Sequence, residues 1–114
     1  MNSYLFICHG GKIRSPTAES VAQEIARRKG IEIKTQIGAM GIIQHLGYPE
    51  SLAKEFNRYT KIIVMEEYMA DALIKHYNIP KDRVCCINVE EDDREKNDEG
   101  LREEIKKKLE NLIE

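Results

Sequence analysis

Tyr4-Leu5-Phe6-Ile7-Cys8-His9-Gly10-Gly11-Lys12-Ile13-Arg14-Ser15-Pro16 is a continuously apolar run, then a glycine-bearing turn, then a proline suited to the first turn of a helix. Beyond it, Ala18, Val21, Ala22 and Ile25 recur at i, i+3, i+4 and i+7, and Arg27-Arg28-Lys29-Gly30 closes the period with basic residues and a glycine. Strand, loop and helix in that order make one βα unit. A run with no polar alternation belongs to a strand covered on both faces, as in a parallel sheet.

The rest of the chain repeats the theme. Ile31, Ile33, Thr35 and Ile37 alternate with polar residues and predict a second strand at a sheet edge, ending at Gly38. The stretch from Gly38 to Pro49 reads as a loop. Pro49 then opens a helix burying Leu52, Ala53 and Phe56, and Lys61 to Met65 reads as a buried third strand. A helix from about Glu67 to His76 presents Met69, Ala72 and Leu73. Val84 to Val89 is the fourth strand, in a central place that buries at least one of Cys85 and Cys86. A last helix buries Leu101, Ile105, Leu109, Leu112 and Ile113. The expectation is a small α/β domain over residues 1–114, a doubly wound sheet of four parallel strands with helices on both faces. Ligands in such a sheet bind beyond the C-terminal ends of the strands.

Composition narrows the function. With 114 residues, 18 Lys+Arg and 20 Asp+Glu, the net charge is -2, so no basic field exists to hold a nucleic acid or an anionic membrane. No apolar run approaches the ~20 residues of a membrane span, and Met1-Asn2-Ser3-Tyr4 lacks the basic-then-apolar start of a signal peptide. A cytoplasmic protein is expected. Three cysteines, two of them adjacent, match neither a disulfide framework nor a metal site, so no metal and no cofactor are expected.

The turn after the first strand carries the chemistry. Cys8 ends the strand and Arg14 follows after five residues. A cradle for a tetrahedral dianion needs backbone N–H groups converging on one point, and Gly10 and Gly11 permit the positive φ values that turn amides inward. His9, Gly10, Gly11, Lys12, Ile13 and Arg14 are the expected phosphate-binding residues. The helix N-terminus favours a bound anion and lowers the thiol pKa of Cys8. Arg14 offers a planar fork for two equatorial oxygens. Ser15 either donates its hydroxyl to the thiolate or caps the helix.

Cys8-x5-Arg14-Ser15-Pro16-Thr17-Ala18-Glu19 resembles the active-site signature of the low-molecular-weight protein tyrosine phosphatases, in particular their short prokaryotic members. The resemblance implies a four-stranded parallel sheet, Cys8 as nucleophile forming a phosphocysteine, Arg14 as phosphate clamp, Ser15 as thiolate partner, no metal, and an aspartate general acid after the last strand. Three departures stand out. Gly11 replaces the loop asparagine usual in the family. Ile13 replaces a cysteine that many members use for a protective disulfide. The stretch from Gly38 to Thr60 is short, which removes part of the usual rim.

Glu90 to Glu99 carries seven carboxylates against two bases, by default a solvated loop with Asp98 and Glu99 in a helical first turn. By resemblance Asp92 is the nearer match to the acid, with Asp93 the alternative because no proline fixes the register. The aromatic pair that lines the family's aryl slot is absent; Arg94 and Glu95 stand there, and His45 and Tyr48 over Ile42 and Ile43 are the candidate replacements. The expected function is cysteine-dependent hydrolysis of a phosphotyrosine or similar aryl phosphate, with a phosphorylated protein or small aryl phosphate as partner and inorganic phosphate in the loop. The alternatives are arsenate reduction in the same loop, which needs further cysteines for a relay, and a non-catalytic phosphate-binding or phosphocysteine carrier module.

Overall fold

In the computed structural model, which describes residues 1–47 and 50–114, the first strand β1 (Asn2–Cys8) leads into helix α1 (Arg14–Lys29). Strand β2 (Ile33–Ala39) and two short helices, α2 (Met40–His45) and α3 (Glu50–Phe56), follow. Then come β3 (Lys61–Val64), α4 (Glu67–Tyr77), β4 (Val84–Cys86) and α5 (Glu99–Leu109). The four strands form one parallel sheet in the order β2-β1-β3-β4.

Tyr4 to Cys8 of β1 are buried, with α1, itself packed on α5, against β1 and β2, and α4 against β3 and β4. The register sets Cys8 opposite Ala39 and Ile7 opposite Val64, so the C-terminal ends of β1, β2 and β3 meet at one edge. Helix α1 buries Ala18, Val21, Ala22 and Ile25, the stripe its sequence period requires, and Gly30 ends it at φ 71°. That left-handed cap is the turn for which glycine carries no Cβ penalty. Met40, Met65 and Met69 are fully buried. Asp98 caps α5, its carboxylate accepting from the Leu101 N–H at 3.1 Å.

Four expectations need correction. Residues 40–45 form a helix rather than a loop, since Met40 and Ile43 lie one turn apart and both are buried, while Gly41 obscures the period. Strand β4 ends at Cys86 rather than Val89 because Asn88 takes φ 52°, although the Ile87 and Val89 N–H groups still bond to the Val64 and Met65 carbonyls at 2.9 Å each. That strand is an edge strand and not a central one, so Cys85 and Cys86 are only half-buried. Leu52, Ala53 and Leu112 are partly rather than fully buried. Pro49 lies outside the described residues.

Ile7 sits in the centre of the sheet with no exposure. Ile7→Ala should cost about 2–5 kcal/mol in urea unfolding, the range for emptying a packed aliphatic site, whereas Ile42→Ala, at a side chain left 64% exposed, should stay within about 0.5 kcal/mol. Comparable losses at the two positions would contradict this core.

Candidate active site

Cys8 is the last residue of β1, and the five residues after it carry the chain over the sheet edge to the first turn of α1. Its sulfur is the focus of three donors. The Gly11 N–H reaches it at 3.1 Å, the Ser15 N–H at 3.4 Å, and the Ser15 hydroxyl lies at 3.0 Å. Ser15 is fully buried, and the cap position of α1 is Ile13, which makes no side-chain cap bond. The Ser15 hydroxyl therefore serves the sulfur and not the helix end. Burial pushes the Cys8 thiol up, but the Ser15 hydroxyl, the Ser15 and Gly11 N–H groups and the Arg14 charge outweigh it. The net result is a thiol held below its ordinary value.

Of the two loop glycines only Gly11 has a positive φ, 67°, and a Cβ there would lie 3.1 Å from that of Ala39 on β2. Gly10 does not need the left-handed freedom expected of it. Thr17, fully buried, closes the loop from below: its hydroxyl donates to the Ile13 carbonyl at 2.7 Å and accepts the Asn97 N–H at 2.9 Å. The residue that stiffens the anion loop thus also anchors the far end of the acidic segment.

Arg14 is 5% exposed. Its Nη1 donates to Glu66 Oε2 at 2.9 Å and to the Val89 carbonyl at 2.7 Å, so the guanidinium is fixed from the ends of β3 and β4 at once. Breaking a fully buried pair costs about 3–5 kcal/mol; Glu66 keeps 32% side-chain exposure, and solvent screening lowers that figure here. Both contacts engage one nitrogen, which leaves the Nε–Nη2 edge of the fork for an oxyanion.

A pocket of about 170 Å³ opens over the sulfur, lined by Cys8, Gly10, Lys12, Ile13, Arg14, Glu91 and Asp92. The structure thus brings together Cys8, Arg14 and Asp92. Asp93 is not among the lining residues. Arg94 holds the Asp92 carboxyl below the usual carboxylate range, chiefly through its side chain, with Nε at 2.8 Å from Oδ2, and also through its N–H at 3.0 Å from Oδ1. Arg94 bonds Glu104 as well, at 2.8 Å. His9 is not among the lining residues; its Nδ1 lies 3.1 Å from the Tyr68 phenol oxygen. His45 and Ile42 are exposed outside the pocket, Ile43 is a buried residue of α2, and Tyr48 lies outside the described residues. Glu66 and Tyr68 escaped the sequence reading, and Thr17 and Glu91 entered it only as members of the signature and of the acidic run. The available signal for Glu66 was an acid one residue past a buried strand, at the same sheet edge as Cys8. Among the described residues no three His, Cys, Asp or Glu are grouped to hold a metal ion, and no helix is long and apolar enough to cross a membrane.

Residues 3–51 match the low molecular weight phosphotyrosine protein phosphatase family. The resemblance carried by the signature is borne out over that stretch. The low molecular weight protein-tyrosine-phosphatase YfkJ of Bacillus subtilis is 42% identical over 50 residues, 43% of this chain and 32% of YfkJ, so the aligned chain spans about a third of that relative's length. The phosphatase fold extends much further. The crystal structure of YfkJ superposes with a TM-score of 0.70 at 21% identity, covering 99% of this chain and 92% of that one. A YwlE mutant from Bacillus subtilis gives 0.68 at 16% identity, covering 99% and 97%. Vibrio vulnificus Wzb, in complex with benzylphosphonate, gives 0.68 at 16% identity, covering 98% and 97%. The four-stranded parallel α/β sheet expected from the sequence is the fold of these phosphatases.

The Ser15 hydroxyl is the foremost group lowering the Cys8 pKa. Ser15→Ala should therefore move the pH profile of iodoacetamide alkylation at Cys8 upward, towards the ordinary thiol value. A profile superimposable on that of the parent would show that the hydroxyl does not hold the thiolate.

Proposed function

We propose that this chain is a cysteine-dependent phosphomonoesterase, a single phosphatase-like domain over residues 1–114 that hydrolyses phosphotyrosine or a similar aryl phosphate without metal or cofactor. The observation that carries the reading is the convergence of two N–H groups and a hydroxyl on the sulfur of Cys8, with Arg14 fixed beside it. A binding module gains nothing from an activated nucleophile in its anion cradle.

In this reading the loop amides and the free edge of Arg14 hold the phosphoryl group, and the Cys8 thiolate attacks phosphorus in line. An S–P bond forms as the P–O bond to the leaving group breaks, and Asp92 supplies the proton that the departing oxygen needs. Asp92 then takes a proton from water, which attacks the phosphocysteine. Inorganic phosphate leaves and the thiolate returns, eased by the Ser15 hydroxyl. A carboxyl paired with Arg94 is held in its ionised form, without the proton it must supply. The incoming dianion raises its pKa, and Arg94 already has a second partner in Glu104 to which it can retire.

The phosphorylated protein or small aryl phosphate that serves as substrate, and the reducing cytoplasm suited to a reactive thiol, belong to the same proposal. Neighbours of this fold include the YwlE arginine phosphatase, so the sheet and loop alone leave the leaving group open. Arsenate reduction is less well supported. It requires resolving thiols near Cys8, and Cys85 and Cys86 lie on the edge strand, separated from β1 by β3.

Cys8→Ser should abolish hydrolysis of p-nitrophenyl phosphate while inorganic phosphate still binds in calorimetry; retained turnover would defeat the mechanism. Asp92→Asn should slow phosphotyrosine hydrolysis by ~10²-fold or more and p-nitrophenyl phosphate less, since p-nitrophenolate departs almost unaided. Asp93→Asn should affect both substrates alike and mildly. Arg94→Ala removes the group that lowers the Asp92 pKa, so Asp92 stays protonated to higher pH and the alkaline fall of kcat should move upward. A downward move, or none, would argue against Asp92 as the acid.

A further inference from the structure

The pocket over Cys8 has the size of an anion site and no aromatic side chain in its lining. The group carried by the phosphate must therefore rest on the surrounding rim. Tyr4, Phe6, Phe56 and Tyr77 are buried in the core, and Tyr59 packs against it, partly buried. Among the described phenylalanines and tyrosines Tyr68 is the one left exposed, at 41%. It stands in the first turn of α4, next to Met69, which is fully buried and anchors that turn in the core.

Two features fix the place of this ring. Its hydroxyl bonds His9 Nδ1, and His9 directly follows the nucleophile. The imidazole in turn lies over Gly41 at the start of α2, where a Cβ would come within 3.3 Å of Nε2, and the Gly41 N–H donates to the His9 carbonyl at 3.1 Å. His9 is thus held from both sides, by α2 and by α4. A ring ordered before the ligand arrives loses little further entropy on binding. The phenol also lies in the electrostatic field of Glu66, Arg14, Glu91 and Cys8, of which the last three line the pocket.

We propose that Tyr68, held by His9, is the aromatic wall of the substrate slot and favours an aryl group on the phosphate over an alkyl one. The proposal rests on the phosphatase reading for its substrate and assigns specificity to a residue outside the phosphate loop. It also explains how the acidic segment does without aromatic residues: the first turn of α4 supplies the ring.

The test compares the binding of phenylphosphonate and methylphosphonate by titration calorimetry in the parent, Tyr68→Ala and Tyr68→Phe. The parent should prefer the phenyl compound. Tyr68→Ala should reduce that preference by about 5-fold, the scale of an aromatic contact, and Tyr68→Phe, which keeps the ring, should retain more than half of it. An unchanged preference in Tyr68→Ala, in protein whose circular dichroism matches the parent, overturns the proposal. An equal loss of affinity for both phosphonates also overturns it, because Tyr68 would then support the cradle rather than the aryl group. Hydrolysis of p-nitrophenyl phosphate judges the other reading separately: an inactive parent that still prefers phenylphosphonate through Tyr68 defeats the phosphatase assignment and upholds the wall.

Discussion

A sulfur that must carry negative charge at the buried end of a strand needs donors, and every neighbouring element is arranged to supply or hold them. Cys8 is 2% exposed, and burial alone would keep its proton on. Three short contacts from Gly11 and Ser15, with the charge of Arg14, reverse that outcome. The left-handed turn at Gly11 exists to aim one of those N–H groups. The first turn of α1 aims the other, and adds the positive end of a 16-residue helix.

The rest of the fold keeps this arrangement in place. Strand β1 lies between β2 and β3, so its C-terminal end cannot shift without breaking two ladders. Arg14 is fixed by Glu66 and by the Val89 carbonyl, and Thr17 joins the anion loop to Asn97. The acidic segment is therefore not a free solvated run. Asn97 and the Asp98 cap hold one end, the bond from Val89 to Met65 holds the other, and Asp92 lies between them beside the pocket. Outside the pocket the surface turns acidic: a wider depression of about 410 Å³ adjoins it at Asp92, lined by Glu66, Glu67, Glu90 and Glu104 around Arg94. In the proposed reading the loop holds the phosphate, and a second anion on the same ligand would meet repulsion.

Much of this was legible in the sequence because it follows local rules. The apolar run of β1, the period of α1 and the Cys8-to-Arg14 spacing each state a strand, a helix and an anion loop without reference to the rest of the chain. What escaped depends on the order of strands in space. Glu66 meets Arg14 only because β3 lies beside β1, and Tyr68 meets His9 for the same reason; no spacing along the chain encodes either pair. Cys85 and Cys86 read as central because their strand is apolar, yet β4 closes the sheet at its edge. Helix α2 was hidden by Gly41, a residue whose missing side chain makes room for His9.

In the proposed reaction Cys8 is a thiolate nucleophile that carries the phosphoryl group between substrate and water. The most direct measurement is mass spectrometry of protein quenched in acid during turnover of p-nitrophenyl phosphate, with the modified peptide sequenced. Phosphate should be found on Cys8 in the parent and be absent from protein incubated without substrate. Steady turnover with the phosphate on another residue, or with Cys8 unmodified at every quench time, would contradict it.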